Sequence, residues 1–419
     1  MDTTPVSPAR PRIRAAWAVP AAAVVAVAAA FAAPPLLASA DTAGLPDLTP
    51  EQLLTRVAQA EPQALSGTVV HTARLGLPDL SMTQIAGADP VSLLGGSSTL
   101  RVWTDGQERS RVSLLGTASE YSVVSDATQA WTYSSADDEV VHYALSPQDA
   151  ARAQELRATA TPPADLPTPV DLGLDALERA REHATVGVDA ATTVAGRDAY
   201  QVVVTPRSTA TLVGRIVVAV DAATWTPLRV QVWSSDDAAT PALELGFTDV
   251  TFAAPDDAVL TFSAPPGADV REVTVPLPDE ATLADGAPQD LSALPTDPAQ
   301  APLPEGVSVT GTGWDTIVGL TDVDVAALVA GDPAAVADLP RVDKNFGSEG
   351  AQELFEEFAP EGDGPPVDLD TTALYDQLTT PVEGGRALSS TLLSVLVLDD
   401  GRVFVGAVPV DALRAAAGL

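Results

Sequence analysis

Histidine, the side chain most often used for proton transfer near neutral pH, occurs three times in this chain, as His71, His142 and His183. Each falls in a different predicted element, and none is followed by a metal-ligating residue two or four positions further along the chain. The H-E-x-x-H, G-x-S-x-G and G-x-x-x-x-G-K-[ST] patterns are absent. The chain has no cysteine, which excludes thiol nucleophiles, Cys-ligated zinc and disulfides. These residue types predict a protein without catalytic residues, without a metal and without a cofactor.

Two closely spaced carboxylate pairs, Asp322 with Asp324 and Asp368 with Asp370, offer the oxygen ligands that calcium prefers. Neither pair lies in the spaced loop, with its glycine and terminal glutamate, that an EF-hand requires. The chain contains 57 acidic residues, so pairs of this kind arise by chance. We therefore interpret them as surface charge, with calcium binding as the alternative.

The charge balance of the chain is strongly acidic. Among 419 residues the net charge is −35 and the sequence pI is about 4.1. Because phosphate contacts require lysine and arginine, this balance excludes nucleic acid as a partner. An acidic surface keeps a protein soluble, and an acidic docking face is the alternative interpretation.

The N-terminal segment 1–40 predicts export. Three arginines precede an uncharged apolar run at 15–33, which is followed by the A-x-A signature Ala38-Ser39-Ala40. The segment is either a cleaved signal peptide or an uncleaved membrane anchor, since 19 apolar residues can just span a bilayer. Both alternatives make the protein extracytoplasmic, either secreted or anchored to the plasma membrane by residues 15–33.

Two helices are predicted within the first half of the chain. The first, at 47–60, has Thr49 as N-cap, Pro50 as first helical residue and Gln52 three residues after the cap. The second is predicted at 174–184. The first helix precedes a series of strands, and the second interrupts that series.

Short β-rich runs separated by Gly, Asp-Gly or Ser-Asp clusters fill most of the chain from residue 66 to a last predicted strand at 258–270. Their regular spacing favours an antiparallel sandwich or barrel over a parallel sheet. The predicted organisation is a leader or anchor at 1–40, a β-rich domain at 45–275, a Pro-, Ala- and Asp-rich linker at 276–304 and a small α/β domain at 305–419.

The hairpin at 216–233 shows the strand pattern most clearly. Aliphatic residues alternate with polar ones on both sides of its turn, so Arg229, Gln231 and Trp233 share the face opposite the aliphatic side chains. Trp225 occupies the turn, where a positive φ usually selects glycine or asparagine. Two interpretations remain open: the indole packs back onto neighbouring loops, or it lies at the rim of a cavity and meets acyl chains or a membrane interface.

A sheet with one apolar face must cover that face with helices, a second sheet or a ligand. With two helices available, the apolar face becomes either a plainly packed core or a partly unfilled cavity, and an apolar cavity is a lipid site. The residues alone leave both possibilities open.

Several phrases of the sequence resemble the LolA-type lipoprotein-carrier superfamily in its actinobacterial extracytoplasmic branch. They are "LSGTVVHTARLGLPDL" (65–80), "TLRVWTDGQERSRVSLLG" (99–116), "AWTYSSADDEVVHYAL" (130–145), "VAGRDAYQVVVTP" (194–206), "VVAVDAATWTPLRVQV" (217–232) and "DVTFAAPDDAVLTFSAPPGADV" (249–270). The resemblance implies an unclosed antiparallel half-barrel whose concave apolar face is covered by helices. The predicted fold class is therefore α+β and mainly antiparallel, with a small C-terminal α/β domain added.

The resemblance also implies a function. Carriers of this superfamily bind lipids or lipoprotein acyl chains without catalysis, and relatives of the RseB type add a C-terminal domain and bind a membrane-bound anti-sigma factor. We therefore expect a lipid- or acylated-protein-binding carrier or chaperone, with an envelope sensor or interaction module as the alternative.

Alternation along the strands, rather than the resemblance, selects the residues that would line the cavity. They are Leu100, Val102, Val112, Leu114, Trp131, Tyr133, Val202, Val204, Val218 and Val230. Leu53 and Val57 of the first helix would form the lid over them, and Trp225 would lie at the rim. Each cavity residue has ordinary core packing as its alternative.

Overall fold

The protein is described here by a computed structural model that covers residues 45–77, 88, 90–159, 174, 177–178, 180–275, 306–330 and 371–419. Two sheets organise these residues, one of twelve strands and one of six. The predicted leader at 1–40, the linker at 276–304 and the Asp368–Asp370 pair lie outside the described residues.

The larger sheet consists of two runs of consecutive strands that meet in its middle. Its strands are β1 (Leu65–Ala73), β2 (Gly96–Thr104), β3 (Ser110–Leu115), β4 (Glu120–Ser125), β5 (Gln129–Ser134), β6 (Glu139–Leu145), β7 (Ala184–Val194), β8 (Arg197–Pro206), β9 (Val213–Asp221), β10 (Pro227–Ser234), β11 (Leu243–Thr251) and β12 (Asp269–Val275). Their order is β12-β6-β5-β4-β3-β2-β1-β11-β10-β9-β8-β7. Within this set of strands the edges β12 and β7 are not paired with each other, so the expected unclosed, mainly antiparallel sheet is confirmed.

One strand departs from the antiparallel pattern. β12 pairs with β6 in parallel, because the chain crosses the sheet after β11 before it adds this last strand. The predicted strand at 258–270 is wrong for most of its length, since residues 252–268 form turns and coil. Proline at 255, 265 and 266 removes ladder donors from this stretch.

The first helix, α1 (Pro50–Gln59), begins as its start signals predict. Thr49 Oγ1 accepts from the backbone N–H of Gln52, and the Thr49 N–H donates to Gln52 Oε1 at 2.9 Å, which completes a capping box. A helix missing from the expectations, α2 (Pro147–Thr159), starts after Ser146, whose hydroxyl accepts from the Asp149 N–H. The helix predicted at 174–184 is present at every described position from 174 to 183 and is named α3.

The smaller sheet and its helices form what we call the small unit, residues 306–330 and 371–419. Its elements are β13 (Val307–Thr310), β14 (Ile317–Leu320), α4 (Val325–Val329), α5 (Thr371–Leu378), β15 (Thr380–Val382), β16 (Gly385–Ser389), β17 (Ser394–Leu398), β18 (Val403–Gly406) and α6 (Val410–Ala417). The strand order is β13-β14-β18-β17-β16-β15. The turn between β17 and β18 contains Gly401 with φ +82°, as the Asp400-Gly401 pair predicts.

The small unit contacts one end of the larger sheet. The backbone N–H of Leu212 and the hydroxyl of Thr211 both donate to the Ala407 carbonyl, at 2.8 and 2.9 Å. Thr391 donates from its backbone N–H to the carbonyl of Leu75, at 2.8 Å. These contacts lie where β1 and β8 end and β9 begins.

Candidate ligand-binding face

Strand register places eight of the ten predicted cavity residues on one face of the larger sheet. Residues directly opposite each other in a ladder project to the same side. The register pairs that show this are Leu100 with Leu114, Val102 with Val112, Val218 with both Val202 and Val230, and Val204 with Ile216. Val69 joins the two halves, because it is opposite both Leu100 and Phe247. We call this side the apolar face.

Trp131 and Tyr133 lie on the opposite face, so their predicted place among the apolar-face residues is wrong. Ala130 and Thr132 take those positions in β5. Strand alternation shows which residues share a face, but not which of the two faces is the apolar one. The aromatic residues of β5 face the chain segment before β12, whose position the sequence did not predict. The Trp131 indole is stacked 5.1 Å from the ring of Phe262, which lies in the crossing segment before β12.

Side chains of the apolar face belong to two different clusters of buried residues. The first, the sheet core, includes Val69, Leu100 and Phe247, with exposed fractions of 5% or less. The second, the lid cluster, joins Leu53 of α1 to Tyr200 and Val220. The predicted cavity residues divide between them: Leu100, Val102, Leu114 and the partly buried Val112 belong to the sheet core, whereas Val202 and Val218 pack against the lid cluster.

A strip of aliphatic side chains beside these clusters remains partly exposed. Its members are neighbours by register across five strands and are Val186, Val204, Ile216, Val232 and Leu243, with Val230 next to them. None of the six belongs to either cluster as formed by the described part of the sheet. We call this set the open strip. It is the stretch of the apolar face best placed to take an apolar ligand.

Helix α1 covers the apolar face next to the open strip. Leu53 is 1% exposed, and Val57 packs partly buried against the same cluster, at the positions predicted for the lid. Helix α3 lies beside α1, and the two border a groove of about 600 Å³ whose lining includes Leu174 and Leu177. Across the helix pair, Arg181 Nη2 lies 2.5 Å from Glu51 Oε1.

Trp225 lies in the turn between β9 and β10 with φ +61°, a left-handed conformation that turn chemistry ordinarily assigns to glycine. The indole stacks on Tyr200 with ring centroids 5.9 Å apart. The Arg56 guanidinium lies 4.8 Å from the same indole centroid, so the ring also contacts α1. The contacts are those of the first interpretation, in which the indole packs back onto its neighbours.

Replacing Trp225 by glycine is expected to lower the free energy of unfolding by about 1–2 kcal/mol. Loss of the aromatic contacts lowers the free energy of unfolding by more than relief of the left-handed backbone conformation raises it. Trp225→Asn, which tolerates the same φ, should behave alike. Urea denaturation measures both variants, and binding of a fluorescent acyl probe is measured in parallel. Unchanged stability combined with lost probe binding would contradict this account and favour the rim interpretation.

The histidines are distributed over three separate places. Burial lowers the pKa of His71, which lies on the apolar face. His142 stacks on Trp131 at 3.5 Å and its Nδ1 lies 2.6 Å from Glu272 Oε2. Among the described residues no group of three His, Asp or Glu side chains is placed to share a metal ion.

The opposite face of the sheet centre is polar and aromatic, as predicted for Arg229, Gln231 and Trp233. Arg215 lies opposite Trp233 and stacks over it at 4.2 Å. Glu244, opposite Gln231, is 8% exposed, and burial raises its pKa against the opposing influence of Arg229. The two faces of the central strands therefore differ in chemistry.

Comparison with known proteins gives similarity at the level of fold. No protein-family model and no curated protein matches the chain. Among solved structures, the Pseudomonas aeruginosa MucA/MucB complex matches at 17% identity over 88% of this chain and 96% of that one, with a TM-score of 0.39. A LolA superfamily protein from Nitrosomonas europaea matches at 12% identity over 52% of this chain and 99% of that one, with a TM-score of 0.20.

None of the helices of the described residues is both long enough and apolar enough to cross a bilayer. The apolar run at 15–33, predicted as signal peptide or anchor, lies outside these residues.

Proposed function

We propose that this protein is an extracytoplasmic, non-catalytic binder of acyl chains, which it holds against the apolar face under α1 and α3. The observation that carries the proposal is the open strip, a contiguous row of aliphatic side chains that stays partly exposed beside a helix-covered core. Exposed aliphatic surface in a folded protein gains free energy when an apolar ligand covers it.

The energetics of acyl burial support this assignment. Each buried methylene contributes about 0.8 kcal/mol, so a chain of ordinary membrane length supplies several kcal/mol even after the cost of immobilising it. The strip contains no charged side chain, and a carboxylate or phosphate head group would remain in solvent at its end. The ligand class is therefore a lipid or an acylated protein.

Entry of the chain requires α1 and α3 to separate or tilt. The Glu51–Arg181 pair spans the two helices and is partly exposed, so its net contribution is about 1 kcal/mol or less. The pair orients the helices without locking them. A lid closed by weak polar contacts and a small apolar cluster opens at low cost, as a carrier that must load and release its ligand requires.

Location and partner follow from the same proposal. Export by the segment 1–40 places the apolar face outside the cytoplasm, whether that segment is cleaved or kept as an anchor. LolA-superfamily and lipoprotein-sorting proteins occur among the structural neighbours. A lipid or lipoprotein of the cell envelope is the corresponding partner.

Filling the open strip is expected to weaken acyl binding. Val204→Trp adds an indole opposite Ile216 and should weaken binding of a fluorescent long-chain fatty acid by about tenfold or more, which corresponds to the loss of about two buried methylenes. Val203→Trp is the matched control, because Val203 is the next residue on the same strand, is equally partly exposed and projects to the opposite face.

Equal affinities for the two tryptophan variants would contradict the proposal. A second measurement does not depend on the chosen probe: lipid extraction and mass spectrometry of the natively purified full chain should recover bound lipid, and Val204→Trp should reduce it. Protein that carries no lipid and binds no acyl probe would exclude the carrier function.

Binding of another envelope protein is the second candidate. One observation favours it: Val309 and Val318, opposite each other at the edge of the smaller sheet, are 39% and 36% exposed. The neighbour MucB has been solved in complex with MucA. If partner binding is the main function, Val204→Trp leaves capture of a specific membrane protein unchanged while it weakens acyl binding.

A further inference from the structure

The small unit touches the end of α3 at a position where only glycine fits. Gly313 has φ +58°, and a Cβ atom placed on it would lie 2.4 Å from Cγ and 2.7 Å from Cβ of His183. The backbone of the small unit is therefore in direct van der Waals contact with the last helical residue of α3. A larger residue at 313 requires either His183 or the small unit to move.

Polar contacts surround this glycine and join three segments of the chain. The Ser208 hydroxyl, in the loop between β8 and β9, donates to Asp315 Oδ2 of the small unit at 2.6 Å. The next residue towards the N-terminus, Arg207, donates from its backbone to the carbonyl of His183 at 2.9 Å and from its Nε to the carbonyl of Arg181 at 3.2 Å. The small unit, this loop and the end of α3 thus form one continuous set of contacts.

The same end of α3 also holds the lid helices together. The carbonyl of Arg181 belongs to the contact set just described, whereas its guanidinium reaches Glu51 of α1. One residue, Glu182, therefore separates His183, which contacts Gly313, from Arg181, which forms the ion pair across the lid. A displacement of His183 by the small unit changes the position of Arg181 and with it the spacing of α1 and α3.

We propose that the small unit regulates the acyl site, because its docking at His183 and the spacing of the lid helices form one coupled equilibrium. With the small unit docked, α3 is fixed at its end and the lid stays closed; when the unit shifts, the end of α3 is released. The coupling is reciprocal, so a ligand that spreads the lid also weakens docking of the small unit. This inference rests on the proposed function for its biological meaning, but the coupling itself is testable without a ligand.

Distance measurements on the full chain test the coupling directly. The chain has no cysteine, so Gln59→Cys on α1 and Glu178→Cys on α3, both exposed, carry two unique spin labels. Gly313→Ala in this background should broaden the inter-label distance distribution or shift it by about 1–2 Å, the size of helix shifts in known switches. Gly384→Ala is the matched control: Gly384 also has a left-handed φ, +78°, and the nearest atom to its added Cβ is 3.9 Å away.

Removing the obstructing ring should reverse the effect. The double variant Gly313→Ala/His183→Gly is expected to return the distances towards those of the unsubstituted chain, because it removes Cβ, Cγ and Nδ1 of His183, the three atoms that the added methyl would meet most closely. His183→Ala alone deletes the contact without adding atoms and should broaden the distribution by freeing the end of α3. It keeps the test decisive if Gly313→Ala does not fold.

Dissociation of a bound fluorescent fatty acid should be about fivefold faster or more in Gly313→Ala than in Gly384→Ala.

The outcomes separate the two proposals. If Gly313→Ala and His183→Ala both leave the label distances as they are in the Gly384→Ala control, the coupling is wrong, whether or not the fatty acid binds. If the distances change and the double variant restores them, but no variant binds the fatty acid, the coupling stands and the acyl-binding function fails.

Discussion

Substitution of Asp221 by asparagine should lower the free energy of unfolding by about 3 kcal/mol, because it removes the negative partner of a buried ion pair and leaves the positive one in place. The side chain of Asp221 is 1% exposed and accepts two hydrogen bonds from the guanidinium of Arg197. It also accepts from the backbone N–H groups of Ala223 and Thr224, which fixes the turn that carries Trp225. The neutral amide leaves Arg197 without its counter-charge and replaces one acceptor by a donor. Urea denaturation followed by tryptophan fluorescence measures the loss.

The effect of this substitution should depend on pH. Burial alone would raise the pKa of Asp221, but hydrogen bonds from Arg197 and Thr224 outweigh burial and hold the pKa below its usual value. A carboxyl with a lowered pKa in the folded state stabilises the protein above its unfolded-state pKa of about 3.9, and this stabilisation disappears as the pH falls through the folded-state pKa. The difference between the unsubstituted chain and Asp221→Asn should therefore be largest near neutral pH and shrink as the pH falls below the unfolded-state pKa of about 3.9.

Asp237→Asn provides the control for this prediction. Asp237 accepts from the backbone N–H groups of Ala239 and Thr240 in the same local pattern, but it is exposed and accepts no hydrogen bond from an arginine of the described residues. Its substitution should change the urea midpoint little. Equal losses for the two variants would show that the turn pattern, and not the buried charge pair, provides the stability.

Local sequence signals predicted the elements whose causes are local. The capping box of α1 depends on Thr49 and Gln52 alone, and the β17–β18 turn depends on Asp400 and Gly401. Alternation likewise gave the correct faces for β9 and β10, where Ile216 is opposite Val232 and Val218 is opposite Val230. Such features need no knowledge of what packs on them.

Local sequence signals did not predict the features that depend on contacts with distant parts of the chain. Trp131 faces Phe262, about 130 residues away along the chain, so its face is decided by the segment that crosses the sheet before β12. Helix α2 has no strong apolar stripe, and only Ser146, Pro147 and Asp149 at its start marked it in the sequence. The open strip was predicted only in part, through Val204 and Val230, because its exposure depends on where α1 ends and the two clusters stop. The same applies to Gly313, whose importance comes from His183 in another unit.

Truncation of Leu53 to alanine is the second large effect, and it tests whether α1 is a lid held by a single anchor. Leu53 is the one residue of α1 that is fully buried, and it packs against Tyr200 and Val220. Loss of a buried leucine side chain ordinarily costs about 2–5 kcal/mol. Because α1 contacts the sheet through few other residues, we expect the cost to appear first as local opening of α1, with faster hydrogen exchange along Pro50–Gln59 and freer access to the apolar face.

Leu54→Ala is the matched control, since Leu54 is the next residue of the same helix and is only partly buried. It removes the same atoms but should leave exchange along the rest of α1 nearly unchanged. A fluorescent fatty acid should associate faster with Leu53→Ala than with Leu54→Ala, because opening of α1 precedes entry of the chain. If Leu53→Ala instead lowers global stability and leaves both local exchange and association rates at the control values, α1 is a fixed part of the core. The acyl chain would then have to reach the open strip without movement of this helix.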